Sequence, residues 1–175
     1  MVELWDLLDE NRQPLAIKHR RGKSLPKNVY HQTVFIWTVS ADGLFLITKR
    51  SLQKPWGGYW ENTGGSVLAG EDREIGAIRE LYEETGIKVE KKDLIIIKEE
   101  KGRTAFEDTF LIIVDRKIHN IVLQKGETID YKWITYQELN DMIKTKQFAE
   151  PVIRRFMRYQ DDLVTVLKDR GVFGG

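Results

Sequence analysis

None of the 175 residues is a cysteine. Disulfide bridges, thiolate metal sites and cysteine nucleophiles are therefore excluded at the outset. No apolar run approaches the ~20 residues that a membrane-spanning helix needs, so no membrane involvement is expected. An excess of one charge is missing as well. Lys plus Arg number 28 against 27 Asp plus Glu, a formal net charge of +1. That balance gives no hold on a nucleic-acid polymer, and none is expected as a partner. The opening MVELWDLLDE is acidic from its third residue, where a secretory signal would place a basic stretch ahead of an apolar one. The expected setting is cytoplasmic. There is no internal repeat, linker or low-complexity stretch. The chain therefore reads as one domain over residues 1–175, with an arm at 1–32 and a flexible tail at 171–175. An apolar share of 41% beside 31% charged residues is ordinary for a globular protein with a sizeable core.

Turn chemistry at Asp9-Glu10-Asn11 and Gly22 makes the arm an edge hairpin, with a basic cluster at Arg20-Arg21-Gly22-Lys23. Thr33–Val39 and Leu44–Lys49 are β-branched and aromatic, and Ala41-Asp42-Gly43 turns between them. Trp60–Thr63 reads as a short strand running into Gly64-Gly65, where the backbone can approach a ligand or ion closely. Further strands are expected at Asp93–Lys98, Ala105–Val114 and Thr128–Ile134. Helices are expected at Gln137–Ile143 and Pro151–Leu167, the latter from Val152, Phe156, Tyr159, Leu163 and Leu167 at helical spacing. The order of elements gives an α/β protein with a mixed sheet between helices.

The stretch Gly65–Ile87 carries the chemistry. A helix is expected to start near Glu71-Asp72, where acidic residues favour an N-terminus, and to stop at Gly86. On it, Glu80, Glu83 and Glu84 share about a third of the circumference. Ile75, Ile78 and Tyr82 lie opposite and are expected to form the buried stripe. Gly76, on the acidic side, costs the helix stability and implies close approach by a bulky neighbour. Three converging carboxylates call for a cation. Oxygen ligands without His or Cys suit Mg²⁺ first and Mn²⁺ second.

The full pattern of Gly65, Glu71, Arg79, Glu80, Leu81, Glu83, Glu84, Gly86 and Ile87 resembles the complete Nudix box, with no position departing from it. The resemblance implies an α/β/α sandwich. It also implies metal-dependent hydrolysis of the pyrophosphate in a nucleoside diphosphate derivative or related organic pyrophosphate, a small-molecule substrate. By the same resemblance Glu80, Glu83 and Glu84 are metal ligands, with the Gly65 carbonyl as a further one. Glu71 and Arg79 orient them from behind. The water-activating base is Glu83 or Glu127, the latter on the Lys125-Gly126-Glu127 turn. Arg50 and Lys54 are candidate phosphate contacts, Trp60 a candidate for stacking on a base, and Arg103 and Phe106 candidate substrate contacts beyond the box.

A looser resemblance covers most of the first 90 residues. Glu3-Leu4-Trp5-Asp6, Arg21-Gly22, Tyr30-His31, Lys49-Arg50-Ser51 and Pro55–Trp60 are similar to type I isopentenyl-diphosphate isomerases of the same superfamily. Those enzymes use a cysteine and a histidine-rich metal site. Here the corresponding segment is Asn62-Thr63-Gly64-Gly65-Ser66, and only His31 matches one of the histidines. Hydrolysis is therefore expected on an isomerase-like scaffold, with isomerisation or non-catalytic nucleotide sensing as the alternatives. The proline of ADP-ribose hydrolases, the tyrosine of dinucleoside polyphosphate hydrolases and the tag of NADH pyrophosphatases are all missing past the box. The substrate stays open, and so does the oligomeric state, a homodimer being compatible with the sequence.

Overall fold

The computed structural model describes residues 2–117 and 120–173. Strands β1 (Leu4–Leu8) and β2 (Pro14–Arg20) form the N-terminal hairpin, a two-stranded sheet of its own. The main sheet is built on β3 (His31–Ser40). On one side β3 pairs in parallel, over its whole length, with β8 (Ala105–Val114), and β8 pairs antiparallel with β7 (Ile95–Lys101). The other edge of β3 is shared. Its first half pairs with β6 (Thr63–Ser66), and its end pairs with β4 (Phe45–Arg50). Strand β4 in turn carries β5 (Trp60–Glu61) and β9 (Thr128–Ile134).

Period-two alternation sends each strand's side chains to two cores. Val34, Ile36, Leu46, Phe110 and Ile112 meet the first helix, α1 (Arg73–Thr85). Trp37, Val39, Phe45, Ile47 and Leu111 meet α2 (Tyr136–Lys144) and α3 (Glu150–Asp169), whose expected residues Val152, Phe156, Tyr159, Leu163 and Leu167 are all buried. This is the expected mixed sheet between helices. Among the described residues no helix is long and apolar enough to cross a membrane.

Helix α1 begins and ends where its caps dictate. Asp72 accepts a hydrogen bond from the Ile75 amide, and Gly86 takes the left-handed conformation (φ 74°) that closes the last turn. Its rotation differs from the expectation. Ile75 and Tyr82 are 42% and 49% exposed, and the face against the sheet is Gly76, Ala77, Leu81, Glu84 and Thr85. The small residues explain the turn. Gly76 lies on Val67, where a Cβ would come within 2.9 Å of the valine side chain, so the helix sits close to β6, with the Glu80 carboxyl against Gly65.

Two smaller differences follow from local chemistry. Lys91–Asp93 forms a 3₁₀ turn closed by Glu90 and Asp93, so β7 starts at Ile95. Within the expected tail, Phe173 packs on Phe45 and Tyr136, while residues 174–175 lie outside the described residues. The hairpin is fastened to the sheet by charge. Arg12, at its turn, and Arg73, at the start of α1, both bind the fully buried Asp108 on β8.

Candidate active site

The loop into β6, helix α1 and the turn before β9 bring several expected residues around one cavity of about 190 Å³: Lys54, Gly65, Glu80, Glu83, Glu84 and Glu127. Arg79 also reaches it. Its guanidinium binds Glu71 (2.7 and 3.0 Å), Glu80 (2.9 Å), Glu83 (3.1 Å) and the Ser66 carbonyl (3.0 Å). Glu71 in turn accepts from the Leu68 amide at 2.9 Å. One arginine thus ties the strand end to the helix and fixes two of the three carboxylates. At Gly65 the Glu80 carboxyl lies against the backbone, where a Cβ would come within 2.3 Å of it and displace that side chain.

Glu84 is different. It is 4% exposed, and its Oε2 has no hydrogen-bond partner. Burial, reinforced by the charges of Glu61 and Glu80, pushes its pKa well above the ordinary carboxylate value. Burial also raises Glu80, against the pull of Arg79. Glu61, on β5, is likewise buried and raised by burial, with Arg50 holding one oxygen and Oε1 left without a partner. The sequence reading missed Glu61. The signal was a lone carboxylate in an otherwise buried strand just before two glycines. On the far wall Lys54 contacts Glu127.

The donor set is all oxygen, as a hard divalent cation prefers. Glu84 Oε2 is an orphaned buried acceptor, the kind of group that a cation satisfies. Among the described residues no three side chains are already gathered as a ligand set, and Arg79 bonds both Glu80 and Glu83. By the chemistry of its donors the site fits such an ion.

Three expected substrate contacts lie elsewhere. Trp60 is buried in the core, with Lys49 and Lys132 over its ring, so no base can stack on it. Phe106 is buried beneath Arg12, whose guanidinium lies 4.6 Å from the ring centre. Arg103 sits at the β7–β8 turn beside Arg154 and Arg158, away from the acid cluster. Arg50 is near the cluster but spent on Glu61 and the Pro55 carbonyl.

A family model described as NUDIX domain matches residues 29–156. The chain belongs to the Nudix family. Its Nudix relatives include an uncharacterized Nudix hydrolase of Listeria monocytogenes, 32% identical over 149 residues, covering 84% of this chain and 88% of that protein. The looser resemblance holds over part of the chain. An isopentenyl-diphosphate delta-isomerase of Citrobacter koseri is 33% identical over 85 residues, 47% of each chain. A crystal structure from Deinococcus radiodurans shares the fold with a TM-score of 0.70, at 18% identity, covering 87% of this chain and 98% of the other. With box and fold together, the protein is a Nudix pyrophosphohydrolase by kind.

Proposed function

We propose that the protein hydrolyses a pyrophosphate bond in a nucleoside diphosphate derivative or related organic pyrophosphate, with Mg²⁺, or Mn²⁺ in its place, held by Glu80, Glu84 and the Gly65 carbonyl. The observation that carries this reading is Glu84: a buried carboxylate with a free oxygen, beside two more carboxylates, in a cavity that opens to a lysine. As a structural residue it is costly, and as a ligand it is balanced. The cation supplies charge neutralisation for the phosphate oxygens and a lowered pKa for water.

The protein's own groups do the rest. Arg79 and Glu71 keep Glu80 and Glu83 at the cavity wall. Lys54 offsets phosphate charge from the opposite side. The attacking water gives its proton to Glu83 or Glu127 as its oxygen bonds to phosphorus and the bridging P–O bond breaks. Glu127 sits on the turn before β9, and Glu83 is the most exposed of the box carboxylates, so both stand where a water can reach. The proposal carries with it one domain over 1–175 and a cytoplasmic setting, where such substrates and Mg²⁺ meet. The missing cysteine argues against isomerisation, since Asn62–Ser66 offers no thiol acid.

The test is a panel of nucleoside di- and triphosphates, sugar nucleotides, dinucleotides and isopentenyl diphosphate with Mg²⁺, scored for phosphate or nucleoside monophosphate release. Release that Glu84→Gln abolishes supports the reading. Isomerisation of isopentenyl diphosphate without hydrolysis, or binding without turnover, overturns it. Comparing Glu83→Gln with Glu127→Gln then assigns the base.

A further inference from the structure

Beside the acid cluster lies a second cavity of about 180 Å³, walled by Phe35, Arg50, Trp56, Glu61, Pro151 and Arg155. Gly64 lines both cavities, so the two adjoin at this one stretch of β6. Arg155 is its unusual member. It stands on α3 only 8% exposed, with its guanidinium laid on the Phe35 ring at 3.5 Å from the centroid. Buried arginines are ordinarily matched by a carboxylate. Among the described residues none binds this one, and its Nε has no hydrogen-bond partner. Glu107, an acid that acts on it, contacts Arg158 instead at 3.5 Å, while Arg154 and Arg158 repel it.

The unsatisfied groups are concentrated here. Among the described residues eight buried side-chain atoms lack a partner; three belong to Glu61, Asn62 and Arg155 on this cavity, and a fourth to Glu84 on the first. Such clustering marks a surface built to meet a ligand, not one built to pack. Trp56 gives a separate indication. It is 46% exposed at the rim and is held at φ 60°, a conformation that costs a bulky residue and persists at ligand clamps.

Size and charge name the ligand class. The volume lies well below the roughly 300–1,000 Å³ of drug-sized ligand pockets, so a nucleoside does not fit. Glu61 is bound by Arg50 and only feels Arg155 at longer range, which leaves Arg155 as the cation here without an ion-pair partner among the described residues. We propose that this cavity is a specificity pocket in which Arg155 binds a compact oxyanion, a carboxylate or phosphoryl group, carried by the substrate beyond its scissile pyrophosphate, with Trp56 covering the apolar part of that substituent. This rests on the reading of the acid cluster as the hydrolytic centre.

The experiment titrates the full, metal-free chain with inorganic phosphate and, in a second arm, with acetate, following tryptophan fluorescence. A saturable change is expected in one arm, which tells phosphoryl from carboxylate, and it should vanish in Trp56→Phe. Arg155→Met should weaken it about ten- to hundred-fold, the loss of a charge-assisted bond. Arg155→Lys should fall between, keeping charge without the planar fork. The thermal midpoint of Arg155→Met should stay level or rise, because an unpaired buried cation is gone. No change in either arm, a change that survives in Trp56→Phe, or an Arg155→Met variant that is less stable but titrates like the wild type each overturn the pocket. With turnover, Arg155→Met should raise KM for a pyrophosphate bearing a terminal anion about ten- to hundred-fold more than for its neutral-ended counterpart. If the wild type splits no pyrophosphate, the hydrolase reading fails while the titration still decides the pocket. If it does and Arg155→Met titrates unchanged, the pocket fails alone.

Discussion

Two buried carboxylates in this molecule have opposite surroundings. Asp108 is fully buried and receives three hydrogen bonds of 2.8–3.0 Å from Arg12 and Arg73, which also share Glu99. Glu84 is nearly as buried, yet its neighbours are Glu61 and Glu80, and one of its oxygens touches no donor. A charge placed for stability is surrounded by its opposite. A charge kept for work is left short of partners, and the fold tolerates the cost.

Removing the satisfied charge should have the largest effect. Asp108→Ala strands two arginines and is expected to cost about 3–5 kcal/mol, lowering the thermal midpoint by roughly 6–20 °C, with activity per folded molecule retained. A loss below about 1 kcal/mol by denaturant titration would erase the contrast. Glu84→Gln should do the reverse. Hydrolysis is expected to fall about 10²–10³-fold, some 3–4 kcal/mol at the transition state, while metal-free stability holds or improves. A destabilised Glu84→Gln with normal kcat would make Glu84 a structural residue.

His31 supplies an intermediate case, a buried group that avoids charge. It stacks on Trp5 at 4.1 Å, its Nδ1 lacks a partner, and burial lowers its pKa from 6.5 to about 4. The unfolded chain therefore binds the extra proton first. Stability is full above pH 6.5 and declines as pH falls to about 4, by up to about 3 kcal/mol. Unfolding free energies measured across that window should slope less in His31→Leu, and an identical slope would dismiss the histidine. The smallest effect is the cation's. Mg²⁺ at a hundred times its Kd should stabilise the wild type and Asp108→Ala by about 2.7 kcal/mol each, and Glu84→Gln far less. Equal shifts in all three would move the ion away from Glu84.

The sequence disclosed these features unevenly. Helix α1 was legible to within a residue or two because Asp72 and Gly86 are local signals; β8 fell on its expected bounds because an apolar run sets them, and β9 because β-branched and aromatic residues alternate with polar ones along it. The box glutamates were legible because helical spacing alone brings them together. The rotation of α1 was not. Its apolar residues pointed to one face, while contact between Gly76 and Val67 fixed another, leaving Ile75 and Tyr82 outside. Glu61 with Glu84, Arg12 with Asp108 and Arg155 with Phe35 are partners far apart along the chain, and no local pattern announces them. Trp60 and Phe106 looked like ligand contacts for the same reason that they proved to be packing, since an aromatic residue serves either purpose.

The parallel pairing of β3 with β8 has a consequence for how the molecule is made. His31 lies opposite Ala105 and Ser40 opposite Val114, so β4, β5, β6, β7 and all of α1 fall inside the loop that this ladder closes. Such long-range pairing is slow, because chain entropy must be spent before the contacts form. On a ribosome the central ladder cannot close until Val114 has emerged. Until then the acid-bearing helix has an incomplete sheet to dock on, so catalytic competence should arrive late in folding, in step with the burial of Trp37.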